Sequence, residues 1–141
     1  VDIARLTIAD EHTVMGMSHL FDGPAVAEHV RGFMLDERHH LLIAREGDEV
    51  IGFVSGVEMT HPDKGTEMFL YELAVDESWQ RQGAGTALVV ALRDLAHERG
   101  CYGMWVLTDD DNEAALATYT SAGGGSRSPQ VMLDWDFLAP S

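Results

Sequence analysis

The chain has 141 residues, 45% of them hydrophobic, with 24 Asp plus Glu against 9 Lys plus Arg and a formal net charge of −15. Such a length supports one domain, residues 1–141, with a real core, and the apolar content excludes a disordered chain. The negative field opposes nucleic acid and anionic membranes and attracts polycations, and no apolar run approaches the ~20 residues of a membrane-spanning helix. The single cysteine, Cys101, excludes an internal disulfide and fits a reducing, cytoplasmic setting.

In chain order, Ile3 to Ile8 alternates and predicts a strand. Asp10 to Leu20 predicts a helix capped by Asp10. Asp22-Gly23-Pro24 is a break, and Pro24 fits the first turn of a second helix with Val26, Val30, Phe33 and Met34 on one face. Leu41 to Ala44 and Val50 to Met59 form a hairpin across Glu46-Gly47-Asp48. After the polar loop His61 to Gly65 comes a strand from Met68 to Val75. A helix from Ala84 to Arg99 carries Leu88, Leu92, Leu95 and Ala96 on one stripe and stops at Gly100. Gly103 to Thr108 predicts a buried strand. Asp111 or Asn112 caps a further helix that Gly123 ends, and Val131 to Phe137 alternates as a last strand. The sum is an α+β domain: a twisted sheet with helices on both faces.

The strand Met68 to Val75 feeds a turn, Asp76 to Gln82, and then Gly83-Ala84-Gly85-Thr86 opens a helix. Backbone N–H groups converging at a helix N-terminus bind an anion, most often a phosphate. A dinucleotide loop needs a third glycine where Leu88 stands. A nucleoside triphosphate loop needs a lysine after Gly85, where Thr86 stands.

What remains, Gln80-Arg81-Gln82-Gly83-Ala84-Gly85, resembles the Gln/Arg-x-x-Gly-x-Gly/Ala loop of the GNAT acetyltransferases. A second stretch matches the same family's Asn-x-x-Ala-x-x-x-Tyr-x-x-x-Gly-Phe pattern at Asn112, Ala115, Tyr119 and Gly123, and departs from it at Gly124. The missing aromatic at 124 is expected to loosen packing behind the cofactor or to be replaced by another residue. The resemblance implies the family's fold, a mixed and mostly antiparallel sheet, and acetyl-CoA as co-substrate. It places the pyrophosphate on the amides of Gln82, Gly83, Ala84, Gly85 and Thr86, with side-chain help from Gln80 or Arg81. It lays the pantetheine along Leu73, Ala74 and Val75, with the Val75 N–H as oxyanion donor. It assigns Asn112 and Ala115 to the cofactor and Tyr119 to protonating the departing sulfur; packing against Leu116 and N-capping are the alternative roles of Tyr119 and Asn112.

Glu72 is the candidate general base, because a carboxylate among apolar strand neighbours is costly unless it faces a cleft, and burial moves its pKa toward neutrality. The text Tyr71 to Val75, the run Asp109-Asp110-Asp111 and the tail Asp134-Trp135-Asp136-Phe137 are similar to the family's branch that acetylates the 3-amino group of aminoglycosides. That branch has Asp where this chain has Glu72. Tyr71, Glu72, Asp109, Asp110, Asp134 and Asp136 are the resulting acceptor-site candidates, each paired carboxylate offering a charge-assisted hydrogen bond. Capping and solvated strand faces are the alternative roles of the aspartates. A polyamine, a metabolite amine or a protein lysine are the other acceptors, and a non-catalytic acyl-CoA-binding module is the alternative class. The resemblance also raises a homodimer. The seven histidines have no zinc-like spacing, so no metal is expected; Cys101 reads as an inert thiol, and Trp79, Trp105 and Trp135 as packing residues.

Overall fold

The computed structural model describes residues 1–138. Its elements are β1 (Asp2–Arg5), α1 (Glu11–Met15), α2 (Ala27–Leu35), β2 (His39–Glu46), β3 (Glu49–His61), β4 (Gly65–Val75), α3 (Ala84–Glu98), β5 (Met104–Val106) and α4 (Glu113–Ser121). The five strands lie in the order β1-β2-β3-β4-β5, antiparallel except for the parallel β4–β5 pair. Both faces of the sheet are covered, which is why Leu41 to Ala44 is a continuous apolar run, all of it buried. On one face Leu42, Ala44, Val54, Met68 and Leu70 pack under Leu88, Val89, Leu92 and Ala96 of α3, and α4 lies against α3. On the other, Leu41, Ile43 and Phe53 meet Val14, Met17 and Val30 from the α1–α2 segment. No helix among the described residues is long and apolar enough to cross a membrane.

The helix boundaries follow local chemistry. α3 closes on Gly100 (φ +81°) and α4 on Gly123 (φ +99°). At the second end the Gly124 N–H donates to Tyr119 O and the Gly123 N–H to Thr120 O, the paired bonds that satisfy a helix's last carbonyls. A Cβ at Gly124 would stand 3.0 Å from that Tyr119 oxygen, a tight contact for any side chain at this helix end.

Four expectations fail. The helix from Asp10 to Leu20 is instead the short α1, closed at Gly16, followed by a 3₁₀ turn at Ser18–Leu20; it ends before a second turn is complete. Pro24 lies ahead of α2, whose N-cap is Val26, itself exposed. The strand from Gly103 to Thr108 shrinks to three residues at the sheet edge, with Trp105 37% exposed. Val131 to Phe137 forms no strand, and Trp135 packs into neither core; alternation gives the segment two faces, but a strand also needs the backbone of a neighbouring strand.

A polar network centred on the buried His40 ties β1, β2, β3 and the end of α3 together. Arg5 Nη2 donates to His40 Nδ1 at 2.9 Å, and His40 Nε2 meets Glu58 Oε2 at 2.6 Å. Arginine can only donate, so Nδ1 is the acceptor and Nε2 carries the proton. Arg99 Nε donates to the same Glu58 oxygen. Burial, at 1% exposure, holds the His40 pKa below its usual value, against the pull of Glu58.

Candidate active site

β4 is paired on both sides only in its first half. Its parallel contact with β5 spans Met68↔Met104 to Leu70↔Val106 and stops there. Against β3, Ser55 faces Glu72 while the next residue, Gly56, faces Leu70, so Tyr71 is an extra residue on β4. Such a bulge bends its strand. Beyond it, Glu72 to Val75 have β3 on one side and, among the described residues, no strand on the other. The Asp76 N–H donates to Ile51 O. Antiparallel alternation then points the N–H and C=O of Ala74 at β3 and those of Leu73 and Val75 at the open edge. Of the three residues expected to flank the pantetheine, Leu73 and Val75 therefore turn main-chain groups to the open edge, and Ala74 does not.

The turn after β4 is fastened to the strand. Gln80 Nε2 donates to Val75 O at 3.1 Å, and Gln82 Nε2 reaches Ser78 O at 3.5 Å. These side chains shape the loop: of Gln80 and Arg81, the two side chains expected to help with the phosphates, Gln80 is bonded to Val75 O and Arg81 is exposed. Arg81 itself holds φ +64° and Gly83 φ +89°. The left-handed Gly83 is the N-cap of α3, and no side chain caps the helix there. The N–H groups of Ala84, Gly85 and Thr86 are thus the orphan donors of a helix start. A Cβ on Gly85 would meet Thr118 Cγ2 at 3.4 Å, which marks how closely α4 approaches this corner. An open cavity of about 440 Å³ borders Val75 and Gln80 on the α1 side, walled by His19 and Leu20.

Glu72 lies on the face of the sheet turned toward the α1–α2 segment. Its N–H donates to Ser55 Oγ at 3.2 Å, which fixes the backbone beside the bulge. Burial raises its carboxyl pKa, and the charge of Asp22 raises it further. Neither carboxylate has a cation or hydrogen-bond donor among the described residues. Asp22 was legible only as part of a break; Phe21, edge-on to Phe53 with centroids 5.0 Å apart, brings that loop over the sheet. On the α3 side, Tyr119 packs against the core, and burial raises its phenol pKa, so it stays protonated at neutral pH. Asn112 caps α4, its Oδ1 accepting the Ala115 N–H at 3.1 Å. That bond occupies the Ala115 amide and leaves the Asn112 amide nitrogen available.

The acceptor-site candidates are only partly brought together. Tyr71 is exposed beside Phe69, which stacks on Trp105 at 4.3 Å, giving an aromatic strip on the same face as Glu72. Asp109 and Asp110 lie exposed in the loop between β5 and α4, where Asp109 O accepts the Asn112 N–H. Asp134 and Asp136 are exposed in the C-terminal segment. Among the described residues no group of three or more His, Cys, Asp or Glu could hold a metal ion. Burial raises the Cys101 thiol pKa, consistent with an unreactive side chain.

An open strand edge runs here into a helix start that no side chain caps. The chain belongs to the acetyltransferase (GNAT) family, whose sequence pattern matches residues 8–123; acetyltransferases of this family use acetyl-CoA. It is 42% identical over 57 residues to the ribosomal protein bS18-alanine N-acetyltransferase of Escherichia coli K12, a stretch covering 40% of this chain and 38% of that enzyme's length. Its fold matches an aminoglycoside acetyltransferase, meta-AAC0020, from an uncultured soil metagenomic sample, in complex with sisomicin. There the TM-score is 0.89 at 21% identity, over 96% of this chain and 95% of the other. It also matches AAC(6')-Iy bound to a bisubstrate analogue, with TM-score 0.81 at 17% identity over 96% and 97% of the two chains.

Proposed function

We propose that this chain transfers an acetyl group from acetyl-CoA to an amine of a polycationic small molecule, an aminoglycoside at its 3-amino group. The observation that carries the reading is the unpaired edge of β4 at Leu73 and Val75, which leads straight to the orphan amides of Ala84 to Thr86. In this reading the pantetheine adds to that edge as a strand, and the loop from Gln82 to Thr86 with Arg81 takes the pyrophosphate. The Asn112 amide nitrogen adds a donor to the arm. Gly85, with Thr118 of α4 nearby, gives the close wall behind it.

Each step then has a residue. Glu72, its pKa raised, takes the proton of the attacking amine directly or through water. The Val75 N–H, rigid in the strand, donates to the carbonyl oxygen as charge builds there. As the new C–N bond forms and the C–S bond breaks, the Tyr119 hydroxyl gives its proton to the leaving sulfur. Asp22 joins Glu72, Tyr71, Asp109 and Asp110 in drawing a multiply charged acceptor, within the field of a chain of net charge −15. Sisomicin held by a protein of the same fold supports that acceptor class. A protein amine is the second reading, favoured by the identity to the bS18-alanine enzyme.

The test is thiol release from acetyl-CoA with sisomicin, spermidine and an N-terminal alanine peptide. Turnover with sisomicin, and mass spectrometry placing the acetyl group on the 3-amino nitrogen, is the expected result. Turnover with the peptide alone overturns the acceptor, and none with any amine supports a binding module. Glu72→Gln lowers kcat by about 10²–10⁴-fold while acetyl-CoA affinity measured by calorimetry holds; lost affinity makes Glu72 structural.

A further inference from the structure

The sheet face that carries Glu72 is divided. The α1–α2 segment covers its β2 and β3 part, where Leu41, Ile43 and Phe53 are buried. Over β4 and β5 the same face is aromatic and open, with Tyr71 65% and Trp105 37% exposed. Met68, Leu70, Met104 and Val106 turn to the α3 core, so Phe69 and Trp105, which lie between them, turn the other way. These two are register partners, stacked with ring centroids 4.3 Å apart. Tyr71 meets Phe69 edge-on at 5.8 Å. In a regular strand Tyr71 and Glu72 would point to opposite faces, and the bulge brings both to this one.

The two ends of this floor differ. At one end Glu67 is fully engaged. Tyr102 Oη donates to it at 2.8 Å, and His61 Nε2 lies 3.0 Å from its other oxygen. Hydrogen bonds from Tyr102, His61 and the Trp105 indole hold the Glu67 carboxyl below its ordinary pKa. At the other end Glu72 and Asp22 have neither donor nor cation among the described residues. From Phe69 to Glu72 is three strand steps, about 10 Å. We propose that Phe69, Tyr71 and Trp105 are the platform of the acceptor and select a ring-shaped polyamine: the C–H face of an amino-sugar or aminocyclitol ring lies on Tyr71 and Trp105, and its ammonium groups reach Glu72 and Asp22. The proposal deepens the acetyltransferase reading and rests on it for the role of Glu72.

Shape and charge both favour that occupant. With about 150–250 Å² for a whole aromatic side chain, the open parts of Tyr71 and Trp105 amount to on the order of 200 Å². A saturated ring carries its polar groups at the rim and C–H groups above and below, which match a flat aromatic face, and a rim ammonium adds cation–π attraction. A linear polyamine lays only a thin chain on the same floor and gives up many rotamers to do so. An extended peptide needs main-chain partners. In the first half of β4 these are taken, by β3 on one side and β5 on the other. In the proposed mechanism the pantetheine adds to the open edge beyond the bulge. Acceptor and carrier then use successive halves of one strand and meet at Glu72.

The experiment is calorimetry with sisomicin and with spermidine, without acetyl-CoA and at about 0.15 M salt to screen the field of the chain. It compares the unaltered chain with Tyr71→Ala, Tyr71→Phe and Trp105→Leu, each checked for folding by circular dichroism. Tyr71→Ala weakens sisomicin binding about 5–10-fold and spermidine binding less than about twofold. Tyr71→Phe keeps the ring and brings sisomicin back to within about twofold. In turnover, Tyr71→Ala raises the sisomicin KM by the same factor and lowers kcat far less. Sisomicin affinity that Tyr71→Ala and Trp105→Leu both leave unchanged, an equal loss for the two amines, or a loss that Tyr71→Phe does not restore overturns the platform. A dimer in light scattering that Tyr71→Ala dissociates also overturns it, because a second copy then covers the strip. The binding constants decide the platform even if no amine is acetylated. Turnover of sisomicin with KM unmoved in the variants sinks the platform and leaves the acetyltransferase standing.

Discussion

Two glycines of β3 distinguish damage to the core from damage to the site. A Cβ built on Gly56 meets only side chains, Leu92 Cδ1 and Met68 Sδ at 2.9 Å each and Leu92 Cδ2 at 3.0 Å. A Cβ on Gly52 meets the main chain of β4: Ala74 O at 3.0 Å, then Leu88 Cδ1 at 3.3 Å and Val75 Cγ2 at 3.4 Å. Overpacking of this kind costs about 1–3 kcal/mol. At roughly 3 °C per kcal/mol for a domain of this size, Gly52→Ala and Gly56→Ala each lower Tm by about 3–9 °C. They part company in catalysis. Leu92 and Met68 relieve the Gly56→Ala clash by turning their side chains. The Ala74 carbonyl yields only if β4 moves a few tenths of an ångström between Leu73 and Val75, whose outward N–H groups meet the thioester in the proposed mechanism. Reacting groups tolerate about 0.5 Å of misplacement, and 1 Å costs about 100-fold, so Gly52→Ala lowers kcat by about 10-fold and Gly56→Ala by less than about 3-fold. Thermal melts and steady-state thiol release on both variants decide it. Equal losses of kcat at equal losses of Tm would refute the claim that the β4 main chain positions the reacting carbonyl.

The remaining expectations concern titration. Asp22→Asn removes one of the two influences that raise the Glu72 pKa and leaves burial in place. The acid limb of the kcat/KM profile between pH 5 and 9 therefore moves to lower pH; an unmoved limb means that Asp22 does not act on the base. His40 is neutral in the fold with its pKa held below the ordinary value of about 6.5, so the unfolded chain takes up a proton before the folded one does. Stability from this site is intact above about pH 7 and falls as pH drops below about 6.5 toward the folded pKa. Urea unfolding from pH 8 to 5 reads the fall, and His40→Gln flattens it; an unchanged slope assigns the acid sensitivity elsewhere.

Signals that act within a few residues were legible in the chain. Asn112 caps its helix three residues on, Gly100 and Gly123 end theirs, and the stripe Leu88, Leu92, Ala96 faces the core, because each depends only on helical geometry and near neighbours. The glycine loop was legible for the same reason: a left-handed Gly83 and an uncapped helix start are local requirements. Gln80 was recognised as part of the loop but not as the residue that ties it to Val75, since that bond depends on how the turn folds back.

Pairings across the sheet decided the rest. The bulge at Tyr71, the early end of β5 and the approach of Asp22 to Glu72, 50 residues later in the chain, depend on register between distant segments, which no window of sequence encodes. The tail makes the division plain. Its alternation fixes which side chains share a side, yet an extended segment becomes a strand only where another backbone offers unpaired N–H and C=O groups. By itself the sequence determined the ends of α3 and α4, the glycine loop and the family; only the tertiary structure decided which edges stay open, because hydrogen bonds between strands are made by partners far apart in the chain.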